Sequence, residues 1–165
     1  MEENGKKIAG VIQIRQANAN DLPAIKELWV QMIDFHTVRD SYFQRAKEGH
    51  ERFGEYVREY IESPEWLILV AVTADRVIGF SMGTIASYPP VYQQTHHGYI
   101  ADMVVAEEFR DQGIGTRIFE NMIPWFRENG VTRIELEVAT ANEISQSFWN
   151  RIGFRDYMHK MVLEL

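Results

Sequence analysis

Residues 99–119 read YIADMVVAEEFRDQGIGTRIF. The opening positions form a strand that is apolar on both faces, with Tyr99, Met103 and Val105 on one and Ile100 and Val104 on the other. The closing positions begin an amphipathic helix in which Ile114, Ile118, Phe119, Met122 and Phe126 recur at helical spacing. Between them lies a tight turn, Arg110-x-x-Gly113-x-Gly115. Glycine is a poor helix former, so two glycines at a helix mouth need a reason. Either they soften an ordinary turn, or something comes very close to the backbone there. First-turn amides have no partner inside the helix, and the helix dipole is positive at that end. Strand, glycine turn and helix start together make an anion cradle. Arg110 and Arg117 would add local positive charge. The spacing is neither a Walker A loop nor a Rossmann fingerprint, since position 118 is isoleucine.

Around this stretch the chain reads as one domain. It has 165 residues, 45% hydrophobic and 25% charged, as expected of a globular protein with a sizeable core. The net charge of −7 argues against nucleic-acid binding. A polyanionic ligand would therefore have to rest on backbone groups and a few local cations. No cysteine is present, which excludes disulfides, a thiol nucleophile and thiolate zinc sites. The longest apolar run is far too short to cross a bilayer, and no signal-peptide pattern opens the chain. The expected location is cytoplasmic, with no membrane partner.

Residues 1–10 read as a loose tail and residues 11–165 as the folded domain. A short strand covers residues 10–17. Asn20 or Asp21 then caps a helix with Pro23 in its first turn. A second helix is predicted over residues 40–62. Two strands, WLILVAV and RVIGFSMGTIA, flank a turn at residues 73–75 and form an antiparallel hairpin. A loop of prolines, aromatics and amides precedes the opening strand. After the glycine-mouthed helix, which carries Pro124 in its interior, RIELEV is a further strand. TANEISQSFWNRIG is a helix with a Thr140–Glu143 capping box and Gly153 as its stop. FRDYMHKMVLEL closes the chain as one bent strand or two. The order β-α-α-β-β-β-α-β-α-β(-β) makes an α/β chain, a mixed sheet with helices on both faces and at least one parallel crossover in its second half.

Two motifs in this order resemble the GNAT superfamily of N-acetyltransferases. VVAEEFRDQGIGTRIFENM is similar to its acyl-CoA signature, R/Q-x-x-G-x-G/A. VATANEISQSFWNRIGF is similar to the following motif, here Asn142, Ser145, Phe148, Trp149, Gly153 and Phe154. With IRQANANDLPAIKELW and DRVIGFSMG, the resemblance spans residues 11 to 160. It implies a mixed, mostly antiparallel sheet of six to seven strands. It implies acetyl-CoA as co-substrate, no metal, and a small-molecule or peptide amine as acceptor. It leaves a homodimer open.

By the same resemblance, the backbone of Arg110, Asp111, Gln112, Gly113, Ile114, Gly115 and Thr116 would hold the CoA diphosphate. Met103, Val104 and Val105 would offer main-chain groups to the pantetheine arm, and Asn142, Phe148 and Trp149 would lie along it. From Met103 to Arg110 an extended chain spans up to roughly 23 Å, which leaves room for such an arm. Asn142 also reads as a plain helix cap. Asp102 interrupts an otherwise apolar strand, and burying a lone carboxylate is costly. It could take the proton of an incoming amine, directly or through water, or be a structural carboxylate. Many family members carry tyrosine where this chain has Trp149, and use its hydroxyl to protonate the leaving thiolate. An indole N–H cannot do that. Tyr157 and Tyr99 are the phenols that could replace it, or the step runs without a dedicated acid. Trp149 also reads as core packing beside Phe148. Adjacent His96 and His97 make a poor metal site, and their loop is either acceptor-pocket wall or surface connection. His36 and His50 read as core or boundary residues. Asp34, Asp40 and Glu137 could line an amine pocket or be surface charge. The expected activity is direct acetyl transfer to a primary amine. The alternatives are a non-catalytic acyl-CoA sensor, or an enzyme that acetylates protein N-termini or lysines.

Overall fold

A computed structural model of the chain describes residues 10–74 and 76–165. The expected tail, apart from Gly10, and Asp75 of the expected hairpin turn lie outside the described residues. Nine regular elements follow one another: β1 (Gln13–Gln16), α1 (Leu22–Thr37), α2 (Gly49–Tyr60), β2 (Trp66–Thr73), β3 (Arg76–Ser87), β4 (His96–Val105), α3 (Ile114–Glu128), β5 (Ile134–Glu135) and α4 (Glu143–Arg151). The sheet keeps chain order, β1-β2-β3-β4-β5. Its first four strands pair antiparallel, and β5 joins β4 in parallel. That parallel step is the crossover expected from a strand, a helix and a strand in succession.

The sheet carries α1 and α2 on one face and α3 on the other. Phe53 of α2 lies 6.3 Å from Phe80 of β3, which fixes the face that α2 covers. Trp29 of α1 stacks on Phe53 at 4.6 Å and ties the two helices together. On the opposite side, Ile114, Ile118, Met122 and Phe126 of α3 are fully buried. These four recur at helical spacing, so one stripe supplies the whole interface. Gly130 and Gly153 take positive φ, 72° and 106°, and end α3 and α4 as expected.

Four expectations are corrected. The first helix has Asp21 at its N-cap, one of the two residues expected there, but that side chain makes no cap bond to it. A 3-10 turn capped by Asn18 leads in, its side chain accepting from the Asn20 amide while Asp21 accepts from the Asn18 amide. Asp21 is then clamped by both Nη atoms of Arg15, at 2.7 and 2.8 Å, which holds its pKa below the usual carboxylate value. The second helix starts only at Gly49, because Asp40 captures the Tyr42 amide and begins a separate 3-10 turn at Ser41–Phe43. The last helix is capped by Asn142 rather than by a Thr140–Glu143 box. The sheet has five strands, not six or seven, because residues 154–165 form no ladder. β5 offers only two residues of edge. The closing segment meets it through side chains instead: Arg133 lies 3.8 Å over the Tyr157 ring, and Lys160 pairs with Glu137 at 3.4 Å.

Strand β4 carries the feature that positions the site. Met82 faces Asp102 and Gly83 faces Ile100, so Ala101 is left as a one-residue bulge. A bulge inverts the alternation beyond it. Tyr99, paired with Thr84, therefore shares a face with Asp102 and Val104, paired with Met82 and Phe80. The uninterrupted alternation that grouped Tyr99 with Met103 and Val105 does not hold.

Candidate active site

The chain leaves β4 at Val105 and enters α3 through a turn with two left-handed residues, Asp111 at φ 60° and Gly113 at φ 75°. Gly113 is the N-cap of α3 and no side chain caps the helix. The first helical bond runs from the Arg117 amide to the Gly113 carbonyl, 3.1 Å. Among the described residues, no acceptor engages the amides of Asp111, Gln112, Gly113, Ile114, Gly115 or Thr116. Unpaired N–H groups at a helix N-terminus attract an anion.

The two glycines have different reasons. A side chain at Gly113 would meet nothing within 4 Å, but its left-handed backbone strains any other residue. A Cβ at Gly115 would sit 3.1 Å from the Phe148 ring and 3.9 Å from Met103 Sδ. Gly115 thus brings α4 and β4 against the start of α3. The arginines do not both face the turn. Arg117 donates to the Ile12 carbonyl at 2.8 Å and is engaged with the start of the chain. Arg110 donates from Nε to the Val105 carbonyl at 3.1 Å, which leaves its outer nitrogens toward Phe35.

Beside this turn runs a groove of about 620 Å³ between α1, Arg110 and the start of α4. Gln31, Asp34, Phe35, Val38, Arg39, Glu107 and Ile144 complete its wall. Arg39 lies 3.5 Å over the Phe35 ring. Of these wall residues, sequence reading offered only Asp34 as a pocket residue, because only the packing of α1 beside the turn brings the others there. Arg39 follows the end of α1 and folds back over Phe35, four positions earlier.

Strand β4 is paired with β3 along its length, but with β5 only at Gly98 and Tyr99. Beyond Tyr99 its β5 side has no ladder partner, so this half of the strand presents free backbone groups. An unpaired edge accepts an extended chain. Asp102 stands at this half. Its carboxylate has no hydrogen bond or ion pair among the described residues. Burial alone pushes its pKa up to about 6. Tyr99 is raised by burial first, then by the charges of Glu137 and Asp102.

Other candidates fall elsewhere. Trp149 is 7% exposed and makes edge contacts with Phe148, Phe154 and Phe119 at 4.8, 5.0 and 5.9 Å. It backs Phe148 from the core. Tyr157 is 61% exposed and lies under Arg133, beside β5 rather than on the Asp102 face of β4. The Asn142 side chain accepts from the Ser145 amide at 3.1 Å and so acts as a cap. Asp34 is the exception: it lines the groove beside the turn and pairs with Arg45 at 3.0 Å. His97 is buried, stacked on Tyr88 at 4.2 Å, with Nε2 3.7 Å from Glu135. Among the described residues no group of histidine and carboxylate side chains could hold a metal ion, and no helix is long and apolar enough to cross a membrane.

A helix start whose amides no described residue engages thus lies next to a strand with one unpaired half-edge and a buried carboxylate. Residues 32–154 match the acetyltransferase (GNAT) family. The chain belongs to that family and is an acyltransferase. N-alpha-acetyltransferase 30 of Schizosaccharomyces pombe is 33% identical over 113 residues, covering 67% of this chain and 73% of that protein. Two further curated relatives are matched over only 24% and 40% of their own length. Among solved structures, the tetramutant of BH1408 protein from Bacillus halodurans is 28% identical, with a TM-score of 0.82 over 93% of this chain and 99% of that one. The aminoglycoside N-acetyltransferase AAC(6')-Iy, solved in complex with CoA, superposes with a TM-score of 0.75 over 95% of this chain and 96% of its own, at 18% identity. That last likeness is one of fold.

Proposed function

We propose that residues 11–165 form a single N-acetyltransferase domain that moves the acetyl group of acetyl-CoA to a primary amine by direct attack. The observation that carries this is the run of six unpartnered amides at residues 111–116, continuous with the free half-edge of β4 that holds Asp102. The chain fits the co-substrate. The amides would donate to the diphosphate, and the open side of Gly113 leaves its approach clear. Arg110 and Arg39 would offer guanidinium donors at the groove beside it, whose lining also holds Asp34 and Glu107. Main-chain groups of Met103 and Val105, which face the unpaired side of β4, would orient the pantetheine arm, with Phe148 on its far side, while those of Val104 stay in the β3 ladder. When bound, acetyl-CoA supplies an activated thioester.

The amide of Met103 would polarise the carbonyl under attack, because the Ala106 bond to Ile78 places the Val104 amide in the β3 ladder and leaves that of Met103 facing the unpaired side. Asp102, largely ionised above pH 6, would attract the ammonium and accept its proton directly or through one water. Most of the rate enhancement would come from holding amine and thioester together. CoA thiolate is a fair leaving group, so no dedicated acid is required, and Trp149 and Tyr157 are both placed away from Asp102. A peptide N-terminus is the second form of amine, favoured by the likeness to N-alpha-acetyltransferase 30.

The test is Asp102→Asn, with CoA release measured over an amine library. Turnover is expected to fall about a hundredfold or more, while the rise in melting temperature on adding acetyl-CoA stays as in the parent. Equal turnover across a pH series would remove Asp102 from the reaction.

A further inference from the structure

The bulge at Ala101 does more than expose Asp102. It puts Tyr99 on the same face, across from Thr84, with Trp66 next in register. Helix α2 adds aromatic rings to that face. Tyr60 stacks on Trp66 at 4.6 Å. Tyr56 stands edge-on to both, 5.9 Å from Trp66 and 4.8 Å from Tyr60. Tyr56 is 38% exposed, so its ring is open to an incoming molecule. Burial first, then the charges of Tyr60, Asp102 and Tyr99, raise its phenol pKa and keep it neutral.

Charge on this face is uneven. Glu135, paired in register with Tyr99, is engaged by Arg133 at 2.8 Å, by His97 at 3.7 Å and by the Tyr88 hydroxyl. Glu137 is engaged by Lys160. Asp102 has no such partner among the described residues. The face therefore offers π surface and one carboxylate that no described residue pairs with. An ammonium is attracted by aromatic faces as well as by the carboxylate. A carboxylate on the carbon next to the amine would be carried toward the like-charged Asp102 and repelled by it.

We infer that the acceptor is a cationic primary amine with no carboxylate beside its nitrogen, received between Tyr56 and Tyr99 on its way to Asp102, and that Tyr56 is the residue that positions it. Simple arylalkyl amines and the N-terminus of a peptide share this chemistry, and free amino acids do not. The inference rests on the acetyl-transfer reading above.

The experiment follows CoA release by the full chain at saturating acetyl-CoA. It compares phenethylamine with phenylalanine, tyramine with tyrosine, and a short peptide having a free N-terminus. The parent, Tyr56→Ala and Tyr56→Phe are run together, with the acetyl-CoA melting shift as a check on fold and co-substrate binding. Each amine is expected to exceed its amino acid in kcat/KM by at least about tenfold. Tyr56→Ala is expected to raise the amine KM about tenfold with kcat nearly kept, and Tyr56→Phe to restore it, since the ring carries the attraction. A lower KM for the peptide or for the small amine supports the inference either way and says which source is used. Amino acids used as well as amines, or an unchanged amine KM in Tyr56→Ala, would overturn it and leave the transfer reading standing. No CoA release with any acceptor, while the melting shift persists, would overturn both.

Discussion

The chain turns from a parallel strand into a helix twice, at residues 105–114 and at residues 135–143, and the two corners treat their amides in opposite ways. The corner after β5 closes on itself. Asn142 caps the Ser145 amide, and Gln146 donates to the Thr140 carbonyl at 2.8 Å. Among the described residues, the corner after β4 has no capping side chain and six consecutive amides without an acceptor. Both start helices of ordinary amphipathic pattern, so helix formation alone does not require the second arrangement. An N-cap side chain typically contributes about 1 kcal/mol, and the α3 corner forgoes it. That loss is understandable if a ligand supplies the acceptors.

The sharpest way to break the comparison is Gly113→Val. It forces a β-branched residue into a left-handed turn, so the amides should no longer converge. Losing one or two charge-assisted hydrogen bonds should cost about a hundredfold in acetyl-CoA affinity, or about 3 kcal/mol. Calorimetric titration checks it, and affinity within twofold of the parent would mean that the diphosphate rests elsewhere.

Asp102 gives an effect of somewhat smaller size that touches neither corner. Its folded pKa of about 6 lies above its ordinary value of 3.8, so folding opposes its ionisation. The penalty is absent below pH 4, grows as pH rises from 4 to 6, and is complete above that. Asp102→Asn should then stabilise the fold at pH 8 by about 2 kcal/mol, after allowing for residual solvent contact, or about 5 °C in melting temperature. At pH 4 the two proteins should melt together. Activity of the parent should rise with pH through about 6, where the base ionises. A variant no more stable at pH 8 would show that Asp102 has a partner in solution.

At the closed corner, Asn142→Ala should lower stability by about 1 kcal/mol and leave acetyl-CoA affinity within about twofold. A large loss of affinity would make Asn142 a ligand contact as well as a cap. The smallest effect belongs to Gly115→Ala. Its new Cβ would stand 3.1 Å from Phe148, so the ring must shift by a few tenths of an ångström. A loss of about threefold in affinity, with stability down by under about 1 kcal/mol, is expected. A change as large as that of Gly113→Val would erase the distinction between the two glycines.

The legible parts of this site are local. Strand pattern, glycine turn and helix stripe are contiguous over residues 99–126, and each follows from spacing. Asp102 stood out because a carboxylate interrupts an apolar strand. The bulge at Ala101 left no mark, since alanine suits either face, and missing it put Tyr99 on the wrong side. Phe35 and Arg39 enter the site only through the docking of α1, which spacing along the chain does not encode. Arg117 looked like a diphosphate ligand by proximity, but its guanidinium reaches Ile12, more than a hundred positions away. The expectation that residues 154–165 close the sheet fails because a strand needs an edge to pair with, and β5 ends after two residues.

The central claim is that the unpartnered amides of the α3 corner receive the diphosphate of acetyl-CoA. Titrating the 15N-labelled chain with CoA and, in parallel, with pantetheine reads those amides one by one. Resonances of Asp111, Gln112, Gly113, Ile114, Gly115 and Thr116 should move with CoA and stay nearly still with pantetheine, while the Ser145 amide moves with neither. Equal shifts from both ligands, or CoA shifts that avoid residues 111–116, would contradict the account.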